Sequence, residues 1–376
     1  MNVLFLSSWY PKNNNQDGDF VERHAQTAST FCNVTVLHVA FDKKNRLHRV
    51  HHTINKKVQE YIIYARHPRY NIPVITPLVK GFIMMRHYLR GYKYIKNKIG
   101  FKPDIIHANI LHPRGGIAYL LSRRFGVPYI ISEHSTALLV ENPAHLKGFK
   151  LRVAKFVAKH AKCVMPVSEH LKENMIKFGI RAKYEIVPNV VDTDLFTLSA
   201  PSVLSEHKVF RFVHISGGND KHKNISGIIH AIEMVGSLCH NFEFHLISGV
   251  APEMQLPEQV YLYGMVSHEE IAAILKKCDA LVMFSNYETF SIVTAEALAC
   301  GKPVIISRFG GISDSITKEL GIVVPLKNTQ ELAEAMMSIM QNHSTYNPNT
   351  IRAFAVKNFS TEIIAQKLQA VYNHKK

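Results

Sequence analysis

Short apolar runs alternate with longer segments of helical period from the first residue almost to the last. Val3 to Ser7 reads as a strand, Val21 to Phe31 as a helix and Val34 to Val39 as a second strand. Tyr61 to Ala65 is a further extended run, and a basic helical region from Leu78 to Lys98 follows it. Asp104 to Ala108 and Pro128 to Ser132 are strands around a helix at Gly115 to Phe125. A second basic helix spans Lys147 to Lys162, before a strand at Cys163 to Val167, a helix at Glu169 to Phe178 and a strand at Tyr184 to Val187. The polar stretch from Pro188 to His207 breaks the rhythm. A second series then begins, with strands at Phe210 to Ser216, Phe242 to Ser248, Val260 to Tyr263, Ala280 to Phe284, Pro303 to Ser307 and Ile322 to Val324. Helices at 225–237, 269–277, 291–300 and 329–341 separate them. Strands joined by helical crossovers predict the α/β class: two doubly wound parallel domains, joined near Pro188, with a cleft between.

A chain of 376 residues has room for two ordinary domains. No apolar run reaches the roughly 20 residues needed to span a bilayer. The opening MNVLFLSSWYP has no basic leader and reads as a first strand, not a signal peptide. Five scattered cysteines without a C-x-x-C predict a reduced, cytoplasmic setting. Charge is uneven: residues 1–190 hold 30 Lys+Arg against 11 Asp+Glu, and the rest holds 15 against 18. The basic half predicts an anionic partner, and the two basic helices fit an anionic membrane surface, each burying one face. In the second, Lys155, Lys159 and Lys162 are placed opposite Val153, Phe156 and Val157. Aromatic modules interleaved with basic residues are not evident, so no nucleic-acid partner is expected.

The stretch NYETFSIVTAEALACGKPVII carries the most chemistry. A buried strand, a turn at Tyr287 to Phe290, a helix from Ser291 to Cys300 and a second strand make one parallel β-α-β unit. Ligands of open parallel sheets bind beyond the carboxyl ends of the strands, where Glu288 falls. The amino end of the helix offers free N–H groups and partial positive charge to a phosphate, and Glu296 sits about 1.5 turns in, within reach of a sugar diol. These residues resemble the E-x7-E motif of the retaining glycosyltransferases of family 4, and the resemblance extends over the whole chain. It implies the GT-B fold, with residues 1–188 as acceptor-binding domain, 189–356 as nucleotide-sugar-binding domain, and a helix at 357–376 packing back on the first.

The resemblance also assigns roles. Glu288 would contact the donor sugar, Glu296 the ribose, and Lys223 in HISGGNDKHKNISG the diphosphate. Gly18, between a first strand and a helix, matches the glycine that lets backbone approach the donor. His134, at the strand end PYIISEH, matches a histidine facing the sugar. Thr289, Phe290, Ser291 and Ile292 supply the turn and first helical amides, and Val266 falls where backbone meets the base. The family's arginine five residues before the lysine is replaced by Gly217 and Gly218, which offer backbone N–H groups in its place. GGISD at Gly310 to Asp314 resembles the family's glycine-rich turn but lacks its Pro-Glu. His107 and His112 look like family residues with structural or acceptor-side roles.

No G-x-G-x-x-G follows the first strand, which argues against a nicotinamide or flavin. Asp17–Asp19 and Asp192–Asp194 match a D-x-D, but turn and cap roles are preferred, and His48, His51 and His52 lie in a basic loop without a second cluster. The reading is therefore a metal-independent, cofactor-free, hexosyltransferase-type retaining enzyme at the inner face of the plasma membrane. It would move sugar from a nucleotide-sugar to a glycan or lipid-linked acceptor in bacterial surface polysaccharide or glycolipid synthesis. A sugar-nucleotide 2-epimerase and a non-catalytic relative are the alternatives, and RNA binding is a third, weaker one.

Overall fold

A computed structural model describes residues 1–11, 18–42, 50–68, 72–73, 75–199, 209–217 and 220–373. The chain divides into two compact units. Unit 1 comprises Met1–Leu138, Ala144–Val190 and Ile364–Lys376, and unit 2 comprises Leu139–Pro143 and Val191–Ile363.

The strands of unit 1 are β1 (Asn2–Ser7), β2 (Asn33–Asp42), β3 (Val50–Asn55), β4 (Val58–Arg66), β5 (Ile105–Asn109), β6 (Tyr129–Glu133) and β7 (Val164–Pro166). Its helices are α1 (Asp19–Ala28), α2 (Ile75–Lys98), α3 (Gly116–Phe125), α4 (Gly148–His160) and α5 (Glu169–Lys177). Sheet order is β3-β4-β2-β1-β5-β6-β7. Every pairing is parallel except β3 with β4, which is antiparallel. Val3 and Phe5 of β1 face a core shared with Val21 and Ala25 of α1. Leu4 and Leu6, on the other side of the strand, are also buried. A strand covered on both faces shows a continuous apolar run, as β1 does.

Unit 2 contains β8 (Phe210–Ser216), β9 (Phe242–Ser248), β10 (Val260–Tyr263), β11 (Ala280–Met283), β12 (Val304–Ser307) and β13 (Gly321–Val324). Its helices are α6 (Asp220–Lys223), α7 (Ile225–Gly236), α8 (His268–Lys277), α9 (Ile292–Ala299), α10 (Thr329–Asn342) and α11 (Pro348–Phe359). The order β10-β9-β8-β11-β12-β13 is wholly parallel. Ile228 and Ile232 of α7 and Leu332, Met336 and Ile339 of α10 cover Phe212, Phe244 and Val282. The closing helix, α12 (Thr361–Asn373), sends Ile364, Leu368, Val371 and Tyr372 into the core of unit 1.

Several sequence expectations need correction. His51 and His52 lie on the antiparallel edge strand β3, not in a loop. The run Tyr184 to Val187 is no strand; it contributes an isolated bridge between Tyr184 and Val164. On α4 the buried face is Ala154, Val157 and Ala158, while Phe156 is 46% exposed. On α2, burial is confined to Thr76 and the last turns (Tyr88, Tyr92, Ile95), leaving Leu78 69% and Phe82 59% exposed.

Both sheets reverse direction of winding once. In unit 1 the chain runs outward from β1 through β2 and returns on the other side as β5; in unit 2 it does so from β8 to β11. At such a switch point adjacent carboxyl-end loops diverge and leave a crevice for ligand.

Candidate active site

Loops at the switch point of unit 2 bring Lys223 and Glu288 together. β8 leads into α6, which ends at Lys223; β11 leads into the turn that carries Glu288. The Lys223 ammonium forms an ion pair with Glu288 Oε1. Ser285 Oγ donates to the same oxygen at 3.0 Å, and His222 Nε2 stands 3.5 Å from it. The His222 ring stacks on Tyr287 with centroids 4.6 Å apart. Asn286 binds the two loops further: its N–H donates to the His222 carbonyl at 2.8 Å, and its Nδ2 to the Lys221 carbonyl at 3.0 Å. Glu288 is only 6% exposed. Burial pushes its carboxyl up, but the Lys223 ammonium and His222 more than reverse this, so it stays ionised far below the usual carboxylate range. Two donors, Lys223 and Ser285, converge on Oε1 with His222 close by, and among the described residues no hydrogen bond reaches Oε2, so it is available to a hydroxyl-bearing ligand.

Beyond Glu288 the chain turns sharply into α9. Ser291 has φ 71°, and its Oγ pairs with Thr294 Oγ1 at 2.8 Å and does not cap the helix. Some helices are capped by side chains: Ser168 receives Leu171 N–H, Ser267 and Glu270 form a capping box, and Asn328 receives Glu331 N–H, whereas α1, α3, α4 and α7, like α9, have no side-chain cap. The first amides of α9, from Ile292 onward, lack such a side-chain acceptor, which makes them a natural seat for an anion. Thr289, Phe290 and Ser291 are buried in the turn, and Glu296 is buried within the helix at 1% exposure. The glycine-rich turn lies directly on this segment. A Cβ at Gly311 would come within 2.9 Å of the Thr289 carbonyl, and Ile312 N–H donates to the Phe290 carbonyl.

Gly217 follows β8, and Gly249 follows β9 so closely that a Cβ there would meet the Gly217 carbonyl at 2.9 Å. A cavity of about 700 Å3 opens beside them, lined by Gly217, Lys221 and Val250 to Met254. Gly218 lies outside the described residues. Val266 follows β10, next to Met265, whose sulfur would lie 3.0 Å from a Cβ on Gly249.

The expected residues of unit 1 gather at its own switch point. Gly18 opens α1 with φ 91°, against the Trp9–Tyr10 backbone. Two residues on, Phe20 rests on the His134 ring at 4.8 Å, with His24 at 5.4 Å. His134 ends β6 and is buried; burial, with His24 and His107 nearby, holds its pKa well below 6.5, so the ring is neutral at physiological pH. Its backbone is fixed by Glu133, whose carboxylate accepts N–H groups from Leu111 (2.7 Å), His134 (3.0 Å) and Ser135 (2.8 Å). His107 is a core tie: its ring nitrogens pair with Tyr372 Oη and Ser132 Oγ, both at 2.7 Å. Asp192 caps a turn, accepting from Asp194 and Leu195 N–H, while Asp17 and His48 lie outside the described residues. Among the described residues no three His, Cys, Asp or Glu side chains converge to hold a metal ion.

Sequence reasoning singled out Lys223, Glu288 and Glu296 but missed Ser285, His222 and Asn286. Nothing in their local pattern marks them, because their roles arise only where the β8 and β11 loops meet.

Comparison with known proteins identifies the family and the fold. A family described as "Glycosyl transferases group 1" matches residues 207–353, and "Glycosyltransferase Family 4" matches residues 24–195. The "Putative teichuronic acid biosynthesis glycosyltransferase TuaC" of Bacillus subtilis is 24% identical over 354 residues, spanning 89% of this chain and 88% of that protein. Among solved structures, a sucrose-phosphate synthase from Thermosynechococcus elongatus superposes with TM-score 0.78 at 19% identity, covering 99% and 98% of the two chains. Anabaena Alr3699/HepE in complex with UDP-glucose gives TM-score 0.71 at 18% identity over 99% of each chain. With both family matches laid end to end along most of its length, the chain belongs to the family 4, group 1 glycosyltransferases and has their GT-B fold.

Proposed function

We propose that the protein is a retaining hexosyltransferase that takes sugar from a nucleotide-sugar and passes it to a glycan or lipid-linked acceptor. The observation that carries this reading is the convergence at unit 2: Lys223 and Glu288 paired at the switch point beside the uncapped first turn of α9. The donor's pyrophosphate sits on the α9 amides and on Lys223. An ammonium has three donors, so Lys223 can hold Glu288 and still serve a phosphate. Positive charge fixed where negative charge collects on the leaving diphosphate lowers the barrier to transfer. Glu288 Oε2 receives sugar hydroxyls, Glu296 receives the ribose, and Gly217 and Val266 line the nucleotide-diphosphate. Attack from the face of the departing phosphate, with that phosphate accepting the acceptor's proton, retains anomeric configuration. Lys223 and the helix supply the charge stabilisation that other transferases draw from a metal, so no metal is required in this scheme.

A role in surface polysaccharide or glycolipid synthesis draws support from the teichuronic acid relative. An anionic membrane surface as partner draws support from α2. Its early turns expose Leu78 and Phe82, and its later turns expose Arg86, Arg90 and Lys93. Among the described residues no helix is long and apolar enough to cross a membrane. Flotation with vesicles containing phosphatidylglycerol is expected to carry the wild-type protein and to lose at least half of it in Leu78→Glu/Phe82→Glu. Equal flotation of the two would remove α2 as the contact.

The reaction itself is tested by a stability screen against UDP-, GDP- and ADP-sugars, followed by transfer assays with the donor that stabilises. Stabilisation by one nucleotide-sugar, with the product anomer matching the donor, is expected. Conversion of the donor without acceptor would instead indicate an epimerase, and binding without turnover on any acceptor a non-catalytic relative.

A further inference from the structure

A cavity of about 930 Å3 lies at the end of the unit 1 sheet opposite His134. It opens at the amino ends of β6 and β7, where the last turns of α3, α4 and α12 meet. Arg123, His160, Lys162 and Lys183 line it, and among the described residues no carboxylate does. Lys162 is half-buried; its Nζ donates to the Tyr372 carbonyl at 3.1 Å. Burial lowers its pKa, and the nearby Lys183 ammonium lowers it further, against an opposing effect of Cys163. Cationic groups are therefore crowded at one concave surface. Among the described residues neither the Arg123 nor the Lys183 side chain meets a carboxylate. Burial pushes the Cys163 thiol up to about 11, with Glu185 adding to the shift, so the floor of the cavity carries no thiolate to balance them.

Cations near helix carboxyl ends are often there to offset the helix dipole. That accounts for Lys162, which already serves the last turn of α12, and for His160, whose Nδ1 pairs with the Phe156 carbonyl at 2.8 Å. It does not account for Lys183, which lies on no helix and whose own carbonyl receives Val164 N–H. Nor does it account for the concavity, whose volume is that of a small-ligand site. A planar guanidinium and two ammonium groups around one space suit a phosphate group, which takes paired hydrogen bonds from arginine and point charge from lysine. Tyr119, half-buried on the wall and packed edge-on against Tyr129 and Phe156, offers a face for the less polar remainder of such a ligand.

We propose that this cavity is a second ligand site, for a phosphate-ester anion, separate from the Lys223–Glu288 centre. The phosphate could belong to a free sugar or glycerol phosphate or to a lipid headgroup, and the two sources are separable by experiment. Calorimetry on the full chain would measure binding of glycerol 3-phosphate, and vesicle co-sedimentation would measure binding to phosphatidylglycerol in phosphatidylcholine. Wild-type protein is expected to bind at least one probe, glycerol 3-phosphate with Kd below about 1 mM. Arg123→Glu/Lys183→Glu should weaken that binding at least tenfold, and the milder Arg123→Gln/Lys183→Gln should weaken it in the same direction. Unfolding midpoints of the variants report whether the fold is retained, and Lys318→Glu, an exposed change in unit 2, should leave binding unaltered. Binding of the soluble ester identifies a free phosphate ligand, and binding to vesicles alone identifies a headgroup only if it persists in Leu78→Glu/Phe82→Glu and falls in the Arg123/Lys183 double variants. Binding of neither probe by the wild type, or equal binding by wild type and both double variants, would overturn the proposal. Transfer activity in the absence of either probe should be unchanged in the variants, which keeps this test distinct from that of the transferase reaction.

Discussion

Lys223→Ala is expected to lower sugar transfer by about 10²–10³-fold, the usual loss when one preorganised group facing developing negative charge is removed. The same change should also cost stability. Glu288 would keep Ser285 and His222 but lose the ammonium that lets a buried carboxylate stay ionised. Breaking a fully buried pair costs about 3–5 kcal/mol. Here the Ser285 hydroxyl still donates, His222 stays close, and Lys223 is partly accessible, so about 1–3 kcal/mol is the fitting range. The sign of the pH dependence follows from the direction of the Glu288 shift. Its folded pKa is depressed, so its contribution is fully present above the ordinary 4.5 and is lost as pH falls towards the folded value. The gap in stability between wild type and variant should therefore narrow as pH drops below about 4.5, measured by urea unfolding. Lys223→Ala/Glu288→Gln should recover much of the stability and none of the transfer. Wild-type transfer in Lys223→Ala would remove this residue from the site, whatever its effect on folding.

Gly18→Ala is the second large effect. At φ 91° an alanine is strained, and its Cβ would lie 2.3 Å from the Trp9 carbonyl carbon and 2.6 Å from Tyr10 N. Those are backbone atoms and cannot swing aside. The end of β1 is also held in place: the Ser7 carbonyl accepts from Arg114 Nε at 2.9 Å, Tyr88 Oη at 3.0 Å and the His38 ring at 3.1 Å. Left-handed strain and overpacking together predict a loss of about 2–5 kcal/mol. Because α1 begins here and carries Phe20 onto His134, displacement of about 1 Å should also lower transfer by about 10²-fold. Thermal unfolding and initial rates measure the two effects. Unchanged values in both would mean that this loop neither needs its glycine nor positions the ring behind it.

Much of this fold was legible because parallel strands buried on both faces leave continuous apolar runs. The strands from β1 to β13 were found within a residue or two, apart from β3, which was missed, and β2 and β4, each of which extends three residues further at one end. Strand β3 escaped because Val50 to Asn55 is an exposed edge, polar and without alternation. The helix α11 was passed over, since only its Asn347 cap and Pro348 mark its start. Helical period correctly placed α2 and α4, but period alone does not say which neighbour covers which face, and so Phe82 and Phe156 were assigned to the wrong surroundings. The site divides in the same way. Glu288, Glu296 and Lys223 sit at recognisable positions after strands and within a helix. Ser285, His222 and Glu133 acquire their meaning through contacts between loops that are far apart in sequence.

The most direct test is an experimental structure with the nucleotide-sugar that gives the greatest stabilisation in the screen. The pyrophosphate is predicted within hydrogen-bond distance of the first amides of α9 and of Lys223 Nζ, the ribose hydroxyls on Glu296 and a sugar hydroxyl on Glu288 Oε2. A nucleotide-sugar bound away from α9, with the Lys223–Glu288 pair untouched by it, would contradict the account.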